Sequence, residues 1–306
     1  MTFDTSVAIC TYNGEKYIRE QLETIKKQSK FVDEVIICDD CSTDNTYNII
    51  NEYISENNLQ NTWNLHKNVT NIGYKKNFHN AIDLCTKKYI FLCDQDDLWE
   101  TDKIAQMSSY MEINPEVNLL ASNYTILDSG NNSEYRVQNT NFVNDGYVKK
   151  VLFDEKWAYI KRIGCTYCIR KQFYDNIKQY WNDEYPHDAI LWRFANIHNS
   201  LAILQSPMLK YRRHSNNVSG KKQKNLSERL SVIEYYIEFF LFFKKYTYEI
   251  GDIQKSDIIN RGLNFLYLRE KLLKNHSILL WLKLFFYQKH YSSYLSWFAD
   301  LYYCVK

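Results

Sequence analysis

Three aspartates crowd into four residues at Asp94, Asp96 and Asp97, directly after the apolar run Tyr89–Cys93. Carboxylates this close repel one another, and a divalent cation offsets that repulsion. Mg²⁺ or Mn²⁺ prefers hard oxygen ligands and typically takes one or two carboxylates together with substrate phosphates. A solvated acidic turn capping the helix that begins near Thr101 would give the same local pattern. Position favours the metal and phosphate reading, because two more polar clusters also sit where apolar runs end. Thr11-Tyr12-Asn13, with Glu15 behind it, follows Ser6–Cys10, and Asp39-Asp40 follows Glu34–Cys38. Later groups carry other chemistry. Asp188, after His187 at the head of a helical pattern, can accept a proton as a general base, although the helix dipole favours an aspartate there in any case. Arg212, Arg213 and His214 stand in a row after Tyr211, with donors suited to phosphate and, in the histidine, to a metal.

These residues need elements to hold them. Ser6–Cys10, Glu34–Cys38, Trp63–His66, Tyr89–Cys93 and Val117–Ser122 read as strands. Helical spacing over Tyr17–Gln28, Tyr47–Ile54 (with Ser42 as its N-cap), Phe78–Cys85 and Lys103–Ile113 fills the gaps. Near-continuous apolar strands separated by helices predict an α/β fold, with a parallel sheet covered on both faces. Ligands in such sheets bind at the carboxyl ends of the strands, so the three polar clusters are expected to form one site. A polar loop covers 129–150, periodicity returns over Val151–Trp157, Gly164–Phe173 and Asp188–Ile197, and Leu201–Leu204 reads as a strand. Beyond Gly220 three aromatic-rich helices are expected, at Leu226–Phe243, Ile258–Leu273 and Ile278–Tyr303. The predicted organisation is a domain over 1–220 and a helical region over 221–306.

Composition narrows the class. With 306 residues, 45% hydrophobic and 24% charged, the chain is globular, large enough for one domain and an appendage. The net charge of +2 hides an asymmetry: residues 221–306 carry 14 Lys and Arg to 8 Asp and Glu, net +6, against −4 for 1–220. A basic, aromatic tail suggests an anionic surface as partner. Its run Ile278–Tyr287 falls short of the roughly 20 apolar residues that span a bilayer, which leaves a helix in a membrane interface or one packed on the main domain. Met1–Thr5 lacks the basic and apolar regions of a secretory signal. Cys10, Cys38 and Cys93 read as small buried hydrophobes, and the spacings Cys38/Cys41 and Cys165/Cys168 as coincidence. A reduced, intracellular protein is the plain expectation.

Four segments, AICTYNGEKYIREQLETIKKQ, VIICDDCSTDNT, NVTNIGYKKNFHNAI and YIFLCDQDDLW, resemble in order and spacing the motifs of family 2 glycosyltransferases with the GT-A fold. PHDAILW at 186–192 and YRRHSNNVSG at 211–220 resemble a rhamnosyltransferase-like subgroup. The resemblance implies a GT-A-type, mostly parallel sheet flanked by helices, followed by a C-terminal helical region. It implies that Thr11, Tyr12, Asn13 and Glu15 lie at the nucleotide base and ribose, and that Asp39 accepts the base N3–H, with Asp40 structural. Asn71, Gly73 and Asn77 would line the nucleotide pocket, Gly73 by allowing close backbone approach, and Lys75 or Lys76 would stand in for an arginine. Asp94 would lie near the ribose, and Asp96, with His214, would bind Mn²⁺ or Mg²⁺. Asp97, Arg212 and Arg213 would meet the donor sugar or diphosphate, and Asp188 would be the catalytic base. Trp99 and Trp192 are expected to pack.

The implied reaction is an inverting, metal-dependent transfer from a UDP- or dTDP-sugar, dTDP-rhamnose among them, to a surface-polysaccharide or lipid-linked glycan acceptor. The implied location is the cytoplasm, peripheral at the cytoplasmic membrane face through the C-terminal helices. A dinucleotide-dependent oxidoreductase is disfavoured, since Cys10–Gly14 supplies only one glycine. A phosphotransferase would place its D-x-D after the first strand, and a nucleotidyltransferase needs a glycine- and arginine-rich first loop. Nucleic acid is not an expected partner, because the basic residues are interleaved with acids. The alternative from another class is a non-catalytic sugar-nucleotide-binding scaffold of a membrane glycan-assembly complex.

Overall fold

The computed structural model describes residues 4–128, 141–214 and 225–305, which form two compact units. Part of the expected 129–150 loop, the end of the 211–220 motif and the expected boundary at 220 lie outside the described residues.

In the first unit the early apolar runs become β1 (Thr5–Thr11), β2 (Glu34–Asp39), β3 (Trp63–Lys67) and β4 (Tyr89–Cys93). They are parallel, in the order β3-β2-β1-β4. The connecting helices are α1 (Ile18–Lys26), α2 (Thr46–Glu56) and α3 (Tyr74–Leu84). Val7, Ile9, Val35, Ile37 and Phe91 enter one core, while their neighbours Ala8, Ile36 and Leu92 are also buried. Successive strand residues point to opposite faces, so both faces are covered, and this is why the runs do not alternate.

The second half of the sheet supplies the antiparallel members that make it mostly, and not wholly, parallel. β8 (Tyr167–Arg170) lies antiparallel between β4 and β6 (Leu119–Asp128), and β9 (Leu201–Arg213) runs parallel to β6. Short β5 (Leu98–Trp99) and β7 (Val148–Lys150) pair antiparallel with β9. Among the described residues six of nine strands share one direction, giving a large, mostly parallel sheet. It is flanked by further helices, α4 (Lys103–Ile113), α5 (Lys171–Ile177) and α6 (His187–Ile197). The reversal of β8 has a use: it brings the 3-10 turn Gly164–Thr166 to the carboxyl end of β4.

The second unit contains Leu152–Tyr159 and the C-terminal helices. The helices α7 (Leu226–Glu249) and α8 (Ile253–Asn275) form a hairpin. Asn225 caps α7, its side chain accepting from the Glu228 N–H at 2.9 Å and donating to the Glu228 carboxylate at 3.0 Å. Trp157 is buried against Phe240 and Phe243 at ring distances of 5.0 and 5.4 Å. The expected third helix is broken into α9 (Ile278–Lys283), a 3-10 stretch Leu284–His290 and α10 (Tyr294–Val305). The break follows from Tyr291, which leaves helical geometry and donates its hydroxyl to Asp300 at 2.6 Å. Ser293 Oγ then accepts from the Ser296 N–H at the start of α10.

Asp300 is fully buried and also holds Arg229 at 2.6 Å and Arg269 at 2.8 Å. Burial alone would raise its pKa, but Arg269, then Arg229 and the Tyr291 hydroxyl outweigh it and hold the carboxyl below its ordinary range. Removing one partner of such a cluster strands the others. Asp300→Asn, which leaves two guanidinium groups facing no anion, is expected to cost about 3–5 kcal/mol of unfolding free energy. Urea denaturation of the two proteins measures it, and an unchanged midpoint would mean that the cluster does not hold the helices.

Candidate functional site

The sheet register gathers the polar strand exits. Thr11 lies beside Asp39 in the β1–β2 pairing, and its hydroxyl donates to the Asp39 carboxylate at 2.9 Å. Ser42, expected to cap α2, instead donates its backbone N–H and hydroxyl to Asp39 at 3.0 and 2.5 Å and accepts from the Asn13 N–H at 3.0 Å. Asp44 takes over at the helix start by accepting the Thr46 N–H at 3.0 Å. Asn13, at a φ of +49°, receives the Thr43 N–H at 2.9 Å, and Glu15 receives the Asn45 N–H at 2.9 Å. Tyr12 is left exposed, its backbone N–H and carbonyl both held by the Gln95 amide at 2.8 and 3.1 Å. The first and third exits are thereby tied together.

Several of the residues singled out in the sequence hold hydrogen bonds within the protein. Asp39 is fully buried, and three of a carboxylate's roughly four acceptor positions are filled. Asp40 accepts from Asn68, from the Ile72 N–H and from the Gly73 N–H at 2.8–2.9 Å, and so folds the loop before α3. Asn77 is buried, donating to the Cys38 carbonyl and accepting from Asn68. Asn71 accepts from the Gly73 N–H at 3.1 Å. Gly73 takes a φ of +84°, with open space around it.

At the β4 exit the antiparallel pairing of β5 with β9 decides the geometry. Leu98 pairs with Lys210, and continuing that register outward sets Arg212 opposite Asp96. The Arg212 Nε donates to the Asp96 carbonyl at 2.8 Å and its N–H to the Asp97 carboxylate at 3.0 Å, while its guanidinium pairs with Glu20 at 2.6 Å. His214 Nε2 meets Asp96 Oδ2 at 2.6 Å and stacks on Tyr17 at 5.2 Å. Arg213 closes β9 beside Asp128. In the same way the β4–β8 register carries Cys165 toward Asp94. Ligand atoms of Asp94, Asp97 and Cys165 lie within 4.8 Å of one another.

The electrostatics follow from crowding. Burial, then Asp97 and Asp96, push the Asp94 carboxyl well above its ordinary range. Burial and then Asp96 push Asp97 up to about 7. Fully buried Lys103 donates to the Cys165 carbonyl at 2.7 Å, and burial lowers its pKa to about 8. Two adjoining groups could hold a cation. Burial raises the Cys165 thiol as well, and a thiolate is a soft ligand. Asp96 and His214 are both partly accessible, at 10% and 16% of their side chains, and better suit a hard divalent ion.

Asp188 stands in the first turn of α6, close enough for its charge to add to the rises at Asp94 and Tyr74. A Cβ on Gly164 would meet His187 Nε2 at 2.5 Å and the Asp188 Cβ at 3.0 Å, so the missing side chain lets this turn seat against α6. His187 stacks on Phe78 at 3.8 Å, and neither ring nitrogen has a hydrogen-bond partner among the described residues. Sequence reasoning missed Gln95, Ser42, Tyr17, Lys103 and Gly164. Ser42, Gln95 and Tyr17 stand inside motifs that were read for their neighbours. Trp99 and Trp192 are buried as expected, and all eight cysteines are free thiols.

Burial lowers the His187 pKa from 6.5 to about 4, so the folded state binds its proton less readily than the unfolded. Its contribution is intact above pH 6.5 and is lost as pH falls toward 4, by about 3 kcal/mol in all. His187→Phe is expected to flatten this part of the stability–pH curve in urea titrations between pH 7 and 4. An equally steep acid limb in the variant would assign the loss to other groups.

The sequence model described as "Glycosyl transferase family 2" matches residues 6–178. The chain is 34% identical to the dTDP-rhamnosyl transferase RfbG of Shigella flexneri over 224 residues, which cover 69% of this chain and 73% of that one. Among solved structures it resembles TarS 1–349 of S. aureus in complex with UDP, with a TM-score of 0.57 and 20% identity, covering 78% of this chain and 66% of that one. It also resembles the mannosyltransferase PcManGT of Pyrobaculum calidifontis in complex with GDP-Man and Mn²⁺, with a TM-score of 0.52 and 14% identity, over 99% and 86%. At these identities the two structures speak for the fold. The family match and the rhamnosyltransferase likeness make this chain a member of glycosyl transferase family 2 and a glycosyltransferase.

Proposed function

We propose that the enzyme transfers a sugar, with inversion, from a dTDP- or UDP-linked donor to a glycan acceptor in surface-polysaccharide synthesis. The observation that carries this reading is the gathering of three polar strand exits at the carboxyl end of the sheet, with Asp188 near Asp94. Rhamnose is the favoured sugar, supported by the likeness to a dTDP-rhamnosyl transferase. The acceptor is read as lipid-linked, which sets the site of action at the cytoplasmic membrane face.

Exposed Tyr12 offers a ring for the nucleotide base, with Asn13 and Glu15 holding its loop. Asp39, with one of its roughly four acceptor positions unfilled, would accept the base N3–H. Asp96 and His214, whose side chains already meet, would hold Mn²⁺ or Mg²⁺, with Asp94 beside them. Such a cation supplies positive charge against a departing nucleoside diphosphate. The raised carboxyls of Asp94 and Asp97 fit that arrangement, because like charges in a buried turn need either protons or a counter-charge. Arg212, fixed between Glu20 and Asp97, orients this turn and leaves Arg213 as the further basic residue for the donor. Asp188 takes the proton of the acceptor hydroxyl as its oxygen attacks the anomeric carbon.

Calorimetry of dTDP and UDP with and without Mn²⁺ tests the donor site. Metal-dependent binding that disappears in Asp96→Ala is expected, and metal-independent binding in both proteins would overturn the assignment of Asp96. Asp188→Asn should bind nucleotide as wild type does while transfer falls about 10²–10⁴-fold. Loss of less than about ten-fold would remove Asp188 as the base.

A further inference from the structure

We propose that α9, α10 and the 3-10 stretch between them form a surface that seats on an anionic lipid bilayer. This deepens, and rests on, the membrane-face location just proposed, but its evidence lies wholly within the helical unit.

The segment is built inside out. The buried side of α10 carries Trp297, Asp300 and Cys304, and the Asp300 carboxylate there is held by Arg229, Arg269 and Tyr291. Its other side presents Leu295, Phe298 and Tyr302 to solvent, spaced three and four residues apart along one helical face. Leu295 is 79% exposed. α9 adds exposed Ile278, Leu279 and Leu282, and the following turn adds Phe285 and Phe286, the latter 85% exposed. A water-facing helix normally reverses this distribution.

Phe285, Phe286 and Phe298 are joined through the Trp297 ring. The indoles of Trp281 and Trp297 stack at 4.1 Å and 6°, and each indole N–H donates to the other residue's carbonyl, at 3.0 and 3.1 Å. That reciprocal pair fixes α9 on α10. Phe285 and Phe298 lie against Trp297 at 5.6 and 5.0 Å, and Phe286 lies 6.0 Å from Phe285. The patch is therefore a rigid aromatic and aliphatic plate.

Charge selects the occupant. Between Ile278 and Val305 the single acid is Asp300, which is buried, whereas Lys283 and Lys289 are exposed. An acidic border is present where Asp154 and Glu155 line a cleft with Lys156, Lys289 and Tyr294. Aromatics and leucines beside exposed Lys283, on a segment whose one acid is buried, match the boundary between acyl chains and anionic headgroups. No helix among the described residues is long and apolar enough to cross a membrane, so the plate would lie in the interface.

The test is flotation of the full chain with vesicles of phosphatidylglycerol and phosphatidylcholine in equal parts, and with phosphatidylcholine alone. Wild type should float with the anionic vesicles and be released by salt. The triple variant Phe286→Ser, Leu295→Ser, Phe298→Ser should lose at least about ten-fold in partitioning. Lys283→Glu with Lys289→Glu should lose binding to anionic vesicles. Circular dichroism and nucleotide calorimetry on the same samples check that the fold and donor site survive, so a failed lipid surface is told apart from a failed transferase reading. Equal flotation of the triple variant, or no flotation of wild type, would overturn the proposal. Self-association of wild type that the triple variant abolishes, without vesicle binding, would overturn it in favour of a second copy of this chain.

Discussion

Mutual repulsion among Asp94, Asp96 and Asp97 shapes the turn after β4, and much of the surrounding structure serves to tolerate it. Left in water, three carboxylates in four residues would simply be solvated. Here Asp97 is fully buried and Asp96 nearly so, and the protein answers with directed contacts. Arg212 donates to the Asp97 carboxylate and the Asp96 carbonyl, His214 meets Asp96, and Lys103 lies buried nearby. These contacts leave the Asp94 and Asp97 carboxyls raised, so the counter-charge is incomplete. A cation there, as proposed, would supply the missing positive charge.

The supporting contacts come from remote parts of the chain, which explains what was legible in the sequence. The strands β1, β2 and β4 were readable because two-sided burial makes them continuous apolar runs, and their exits were readable as polar breaks. Reading three exits as one site required only the rule that parallel strands share an orientation. The pairing of β5 with β9 was not readable, since a two-residue strand has no period. Yet that pairing brings Arg212 and His214 to the acidic turn. The reversal of β8 was equally hidden, and with it the approach of Cys165 to Asp94.

Roles within motifs were harder to read than the motifs themselves. Asp39 and Asn77 look alike on paper as ligand-facing polar residues, with Asp40 beside them as a structural one. In the fold they spend their hydrogen bonds on Thr11, Ser42, Asn68 and the backbone around Gly73. A buried carboxylate that accepts backbone N–H groups shapes a loop, and burial is what separates that task from ligand contact. Composition does not report it. Gln95, written between two aspartates, was overshadowed by them, although its amide binds both backbone groups of Tyr12.

The helical unit shows the same limit in another form. Its third apolar stretch has the period of one long helix, and local propensity offers little reason to break it. The break is dictated by Asp300: a buried acid must be satisfied from several directions, and Tyr291 can reach it only by leaving the helix. Satisfying that carboxylate inside turns Leu295, Phe298 and Tyr302 outward. The polar cluster and the exposed apolar plate are thus two sides of one helix, and the charge buried on the first determines which residues the second presents.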